Sequence, residues 1–208
     1  MHITWNEECV AGILLGAGKS TRMGKLKQLL PIGKESLLER ALNETLRSDL
    51  SKIVLVLGYH AEDIKIGLAR NIQHPKLKVI ENTSYKQGIS SSIIAGLTCV
   101  EQNYNHVMII LGDIPHIDAD LINLLLNRYL ASHLPIGAIK IKTKRSHPVI
   151  FNRRLYSELH KLRGDVGARD LFQKHAGQVC LVEPEGSYDD RDIDTMDDYT
   201  QIVKQQQF

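Results

Sequence analysis

Val10-Ala11-Gly12-Ile13-Leu14-Leu15-Gly16-Ala17-Gly18-Lys19-Ser20-Thr21 begins as an unbroken apolar run and ends in a glycine-rich loop. Such a run reads as a strand buried on both faces, here Cys9 to Leu15. Glycines placed directly after it let backbone amides approach a phosphate closely. The stretch is near to an ATPase phosphate loop, which needs a glycine, four residues, then Gly-Lys-Ser/Thr. Counting back from Gly18-Lys19-Ser20 puts Ile13 where that first glycine belongs, with Gly12 one place too early. A β-branched residue tolerates that backbone geometry poorly, so the spacing argues against a hydrolase. Arg22, Lys25 and Lys27 follow around Gly24, a basic cluster that suits a polyphosphate as well as a solvated face.

Outward from this loop the chain alternates strands and helices. Leucines at 37, 38, 42, 46 and 50 give a helical stripe over Ser36 to Leu50. Strands are expected at Lys52 to Leu57, Leu77 to Glu81 and His106 to Leu111, with a short helix over 61–70 and another carrying Ile93, Ile94, Leu97 and Val100. Asp118 or Asp120 can cap a helix containing Leu121, Ile122, Leu125 and Leu126. These units imply a mostly parallel sheet covered by helices. From residue 134 the rhythm changes. Ile136 to Ile141 and Pro148 to Phe151 read as strands separated by a basic turn, then helices over 153–162 and 166–175, a strand near Val179 to Val182 and a last helix from Met196. The expected organisation is one domain over 1–208, with a nucleotide-binding half at 1–133 and a closing, acceptor-side half at 134–208.

The 208 residues are 43% hydrophobic and 24% charged, enough for a sizeable core in a soluble chain. A net charge of +2 with both signs interspersed gives no case for nucleic-acid binding. Cys9, Cys99 and Cys180 lack metal-site spacing and read as buried free thiols of a reducing compartment. The first residues have neither a basic region nor an apolar core, and no apolar stretch reaches membrane-spanning length. A cytoplasmic location is expected.

Ligands of an open α/β sheet gather at the C-terminal ends of its parallel strands. Arg22 and Lys27 there can bind a triphosphate and offset charge on its α-phosphoryl oxygens. Asp113 directly follows a buried strand, between Gly112 and Pro115. It can hold Mg²⁺ through a hard oxygen, or it can be a turn residue satisfying its own backbone. Asp192 and Asp194 are two apart and would share a face of an extended segment as further ligands. Asp194 could instead cap the last helix. Of Ser90, Ser91 and Ser92, one is expected as a helix N-cap and the others as ribose or base contacts. His147 faces substrate or solvent, and Asp165 binds ligand or caps the next helix.

The block Leu15 to Leu30 resembles the opening motif of the molybdenum cofactor nucleotidyltransferases, and among them the cytidylyltransferase branch. Gln87-Gly88-Ile89-Ser90-Ser91-Ser92, Gly112-Asp113-Ile114-Pro115, His147-Pro148-Val149-Ile150-Phe151, Gly164-Asp165-Val166-Gly167-Ala168-Arg169 and Asp192-Ile193-Asp194-Thr195 follow in the family's order. The chain departs from the family pattern at Gly16, where alanine is usual, at Ser146, where glycine is usual, and at Met196, where proline is usual.

The resemblance implies a Rossmann-like three-layer α/β nucleotidyltransferase domain with a mostly parallel sheet and a small antiparallel extension. It implies that CTP is condensed with the molybdenum–molybdopterin cofactor, giving the cytosine dinucleotide form and pyrophosphate. Leu15, Gly16, Ala17, Gly18 and Gly112 would then hold the nucleotide, while Arg22 and Lys27 bind phosphates. Asp113 with Asp192 or Asp194 would bind Mg²⁺. Ser90, Ser91, His147 and Asp165 would line the nucleotide and pterin side. Molybdenum hydroxylases or their maturation chaperones would be the partners. Two other readings stay open, a nucleotidyltransferase for another base or phosphorylated small molecule, and a non-catalytic carrier of the cofactor.

Overall fold

A computed structural model describes residues 8–20, 23–186 and 188–205. The first half runs β1 (Val10–Gly16), β2 (Pro31–Ile32), β3 (Glu35–Ser36), α1 (Leu37–Arg47), β4 (Lys52–Leu57), α2 (Ala61–Gly67) and β5 (Leu77–Glu81). It continues through α3 (Ile89–Val100), β6 (His106–Leu111) and α4 (Ala119–Ser132). The second half adds β7 (Ile136–Ile141), β8 (Lys144–Asn152), α5 (Tyr156–Leu159), α6 (Arg169–Lys174), β9 (Val179–Val182) and α7 (Met196–Gln205).

Seven strands form one sheet in the order β5-β4-β1-β6-β8-β7-β9, and β2 and β3 pair apart from it. β8 is antiparallel to both β6 and β7, while the other pairings are parallel. The large sheet is therefore mostly parallel, with antiparallel β8 between β6 and β7, and β2 and β3 form a small antiparallel sheet beside it. Alternation along β1 divides the core. Val10 and Leu14 pack with α1, α2 and α4 on one face, and Ala11, Ile13 and Leu15 with α3, α5 and α6 on the other. The result is three layers.

Helix starts follow local chemistry. Ser36 and Glu39 form a capping box at α1: the serine hydroxyl accepts the Glu39 N–H, and the glutamate accepts the Ser36 N–H. Asp118, not Asp120, caps α4 by accepting from Leu121 N at 2.8 Å. Three expectations change. The basic stretch read as a turn is mostly strand, because β8 already begins at Lys144. The helices expected over 153–162 and 166–175 are shorter, since a 3₁₀ turn occupies Arg153–Leu155 and Gly164 and Gly167 take positive φ angles. The β2–β3 hairpin is an addition, two residues per strand around Gly33.

A third, smaller core positions the site. Met23, Leu30 and Ile32 from the loop and hairpin, with Leu37 at the start of α1, pack with Ile193 and Ile202 near residue 205, and Tyr199 Oη donates to Pro31 O. The segment after the glycine loop is thereby fastened to the segment carrying Asp192 and Asp194. No helix among the described residues is long and apolar enough to cross a membrane.

Candidate active site

Strands β1 and β6 are neighbours in the sheet and end side by side, which brings the glycine loop beside Asp113. Between them opens a cleft of about 440 Å³ lined by loop residues Leu15, Ala17, Gly18, Lys19 and Ser20 and by Asp113 and Asp165. Tyr85, Lys86, Gly88, Ile89, Ser92 and Leu111 complete it. A second cleft, about 320 Å³, shares Ile89, Leu111 and Asp165 with the first and adds His147, Arg145, Arg169, Phe172 and Asp192. The floor of that cleft is apolar, and Arg145 stacks on the Phe172 ring at 4.5 Å.

Asp113, Asp192 and Asp194 each offer an oxygen within 4.8 Å of the others. Lys27 Nζ donates to Asp113 Oδ2 at 2.7 Å, Asp194 Oδ1 at 3.0 Å and Ile193 O at 3.1 Å. Three donors meet three acceptors, which fills an ammonium's capacity. Burial works against the charge of Lys27, but the pull and hydrogen bonds of Asp113 and Asp194 outweigh it and hold the ammonium above its ordinary value. Asp192 is shifted the other way for a carboxylate. Desolvation, then the neighbouring charges of Asp113 and Asp194, raise it. With all three acids ionised, one lysine leaves two negative charges, the charge a divalent cation neutralises. Asp113 Oδ1 is buried without a hydrogen-bond partner, so a hard oxygen ligand is already aimed inward. These residues fit a divalent metal.

Asp194 does not cap α7. Thr195 and Asp198 do that work: Thr195 Oγ1 accepts the Asp198 N–H, and Asp198 Oδ2 accepts the N–H groups of Asp194 and Thr195. The serines divide differently from expectation. α3 has Gly88 as its N-cap, and no serine caps it. Ser90 Oγ is buried and unpartnered, Ser91 Oγ donates to Ser84 O and Gly88 O, and Ser92 is the serine lining the cleft. Asp165 does not cap α6; its Oδ1 accepts from Ile89 N at 3.1 Å, so it caps α3 from another loop. Gly88, at φ +97, is where that loop crosses, and a Cβ there would stand 2.4 Å from Gly164 C.

Gly16 and Gly112 do not line either cleft. A Cβ on Gly16 would meet Leu38 Cδ2 at 2.9 Å, and one on Gly112 would meet Leu38 Cδ1 at 2.6 Å. Both glycines admit a core leucine beneath the site. His147 lines the second cleft, with Nδ1 buried and unpartnered. Burial pushes its imidazole below the ordinary value, with Arg169 acting the same way and the Ile109 backbone and Asp113 opposing. Arg22 lies outside the described residues.

Two residues of structural consequence escaped the sequence reading. Gln28 is buried behind the loop, bonded to it at three points. Asn82 is buried after β5, where its amide donates to Ser91 Oγ and Ser92 Oγ. A polar residue directly after Lys27, and an asparagine directly after an apolar strand, were the available signals.

A doubly wound sheet with a glycine loop, a lysine and a three-carboxylate cluster at its strand ends defines a nucleotidyltransferase, an enzyme. The chain belongs to the MobA-like NTP transferase domain family, whose model matches residues 12–179. Nicotine blue oxidoreductase of Paenarthrobacter nicotinovorans is 28% identical over 207 residues, covering 94% of this chain and 97% of that protein. The molybdenum cofactor cytidylyltransferase of Escherichia coli (strain K12) is 29% identical over 109 residues, 52% of this chain and 54% of its own. The crystal structure of a Mycobacterium sp. strain JC1 homologue of a Mycobacterium tuberculosis protein superposes with a TM-score of 0.80 at 26% identity. That alignment covers 96% of this chain and 97% of the other.

Proposed function

We propose that the protein transfers CMP from CTP to the molybdenum–molybdopterin cofactor, with Mg²⁺ at the carboxylate cluster. The observation that carries this reading is the position of the cluster: Asp113 lines one cleft, Asp192 the adjoining one, and their oxygens lie within 4.8 Å. A donor nucleotide in the first cleft and an acceptor in the second would meet at these carboxylates. The similarity to a cytidylyltransferase supports the choice of base and acceptor.

Asp113, Asp192 and Asp194 would hold the ion, which supplies Lewis-acid stabilisation of phosphoryl charge when bound. An oxygen of the acceptor's terminal phosphate attacks the α-phosphorus, the α–β phosphoanhydride bond breaks, and pyrophosphate leaves with that bond's electron pair. No protein nucleophile is required, so alignment and electrostatics are the chain's contribution. Backbone amides of Gly18 and Lys19 approach the triphosphate, and Arg22 neutralises it. Lys27 holds Asp113 and Asp194 in place and adds positive charge beside the reacting phosphate. His147, neutral at pH 7 by its lowered pKa, and Asp165 line the acceptor side. Molybdenum hydroxylases, or the chaperones that mature them, would receive the product.

Pyrophosphate release with purified protein, Mg²⁺ and molybdenum cofactor, comparing CTP, GTP and ATP, tests the proposal. Cofactor-dependent release preferring CTP, abolished by chelation, is expected. A preference for GTP would overturn the base, and release only with a sugar phosphate or another phosphorylated acceptor would overturn the acceptor. Redox turnover of nicotine blue without pyrophosphate release would favour the activity in the name of the P. nicotinovorans relative.

A further inference from the structure

We propose that Gln28 is a positioning residue that sets which way the amides of the glycine loop face, and so sets the loop's affinity for a triphosphate. The inference rests on the reading of this loop as the phosphate site. Gln28 is 4% exposed although its side chain is polar. Its Nε2 donates to Gly16 O at 3.2 Å and to Gly18 O at 2.7 Å, and its Oε1 accepts from Ser20 Oγ at 3.2 Å. Two carbonyl acceptors on one side fix which end of the amide is nitrogen and use both its hydrogens.

The peptide bonds here are trans, so a carbonyl drawn toward Gln28 turns the next N–H the opposite way. Holding Gly18 O inward therefore aims the Lys19 N–H away from Gln28. The cleft lined by Ala17, Gly18, Lys19 and Ser20 lies before the loop, and Gln28 lies behind it. Ser20 adds to the device. Its φ of +53 is left-handed, and its hydroxyl is held between Gln28 Oε1 and the Lys27 N–H. Left-handed residues in such turns help N–H groups converge on an anion. Ala17 O is held by the Tyr59 N–H and Ser20 O by the Met23 N–H, so the Gly18–Lys19 peptide is the one Gln28 keeps from flipping its carbonyl toward a phosphate, with no Cβ to resist at Gly18, where nothing lies within 4 Å.

The test is Gln28→Met, which keeps length and removes both donors. In the ligand-free protein, backbone ¹⁵N order parameters over residues 17–20 are expected to fall from rigid values of about 0.85 to below about 0.6, while α3 and α4 keep wild-type values. The Kd for Mg²⁺·CTP should rise about tenfold while that for cytidine stays put, since only the phosphates use the loop. Unchanged loop order parameters, or equal weakening of CTP and cytidine, would overturn the proposal. Ser20→Ala, which cuts the Oε1 contact and the Lys27 N–H contact but leaves both carbonyl bonds of Gln28, should lower the loop's order parameters by an intermediate amount and keeps the test decisive if Gln28→Met does not fold. Wild-type protein that binds no nucleotide would sink the phosphate reading of the loop, and the order-parameter measurement would still decide whether Gln28 holds it.

Discussion

Lys27 and Gln28 are consecutive on one 3₁₀ turn, yet they serve opposite walls of the cleft. Lys27 reaches the acidic wall, where it binds Asp113 and Asp194, and Gln28 reaches the backbone wall, where it binds Gly16 and Gly18. The acidic wall is side-chain charge organised by a cation, so it responds to pH, salt and metal. The backbone wall is neutral dipoles organised by an amide, so it responds to packing and chain geometry. Two walls with different physics, fixed from one turn, can be broken separately.

Loss of the acidic wall should have the largest effect. Asp113→Ala removes the buried, unpartnered Oδ1 and a Lys27 partner together, and kcat for pyrophosphate release should fall about 10³-fold or more. Lys27→Met should cost about 10²-fold in kcat and about 1–2 kcal/mol of metal-free stability at neutral pH. That is below the cost for a fully buried pair, because Asp194 is partly exposed. Added Mg²⁺ should restore more of the melting temperature in Lys27→Met than in the wild type, as the ion replaces the missing charge. Equal recovery in both would break the comparison.

On the backbone side, Gly16→Ala sharpens it. Its Cβ would press on Leu38, so a cost of about 1–3 kcal/mol in denaturant unfolding is expected, with the CTP-to-GTP ratio unchanged. A changed ratio would mean that position 16 reads the base after all.

The smallest effect is at Asp192. Its raised folded pKa means its favourable contribution is complete below the ordinary value of 3.8 and is lost as pH rises through the folded value. At neutral pH without metal its charge is a burden. Asp192→Asn should then raise the melting temperature by about 1–2 °C, a solvent-screened repulsion. The gain should vanish near pH 3 and reverse when Mg²⁺ is present.

The two walls were unequally visible in the sequence. Lys52–Leu57, Leu77–Glu81 and His106–Leu111 have the strand limits expected of them, because each is an apolar run closed by a polar or glycine residue. Asp113 stood out for the same reason, as an acid placed at the end of such a run. Lys144 to His147 were hidden because an antiparallel strand's polar end carries no apolar signal. Gly16 and Gly112 read as ligand-binding glycines, but their missing side chains admit Leu38, a contact set by where α1 lies on the sheet. Gln28 and the cap of α3 by Asp165 depend on partners 8 to 76 residues away in sequence or on backbone carbonyls that every residue has. No periodicity announces such bonds.

The most direct measurement is the fate of label from α-³²P-CTP incubated with Mg²⁺, molybdenum cofactor and either wild type or Asp113→Ala. The expected result is label in a cofactor dinucleotide with wild type, none with Asp113→Ala, and unlabelled pyrophosphate. Label recovered as free CMP or CDP, or an unmodified cofactor with intact CTP, would contradict nucleotidyl transfer to this acceptor.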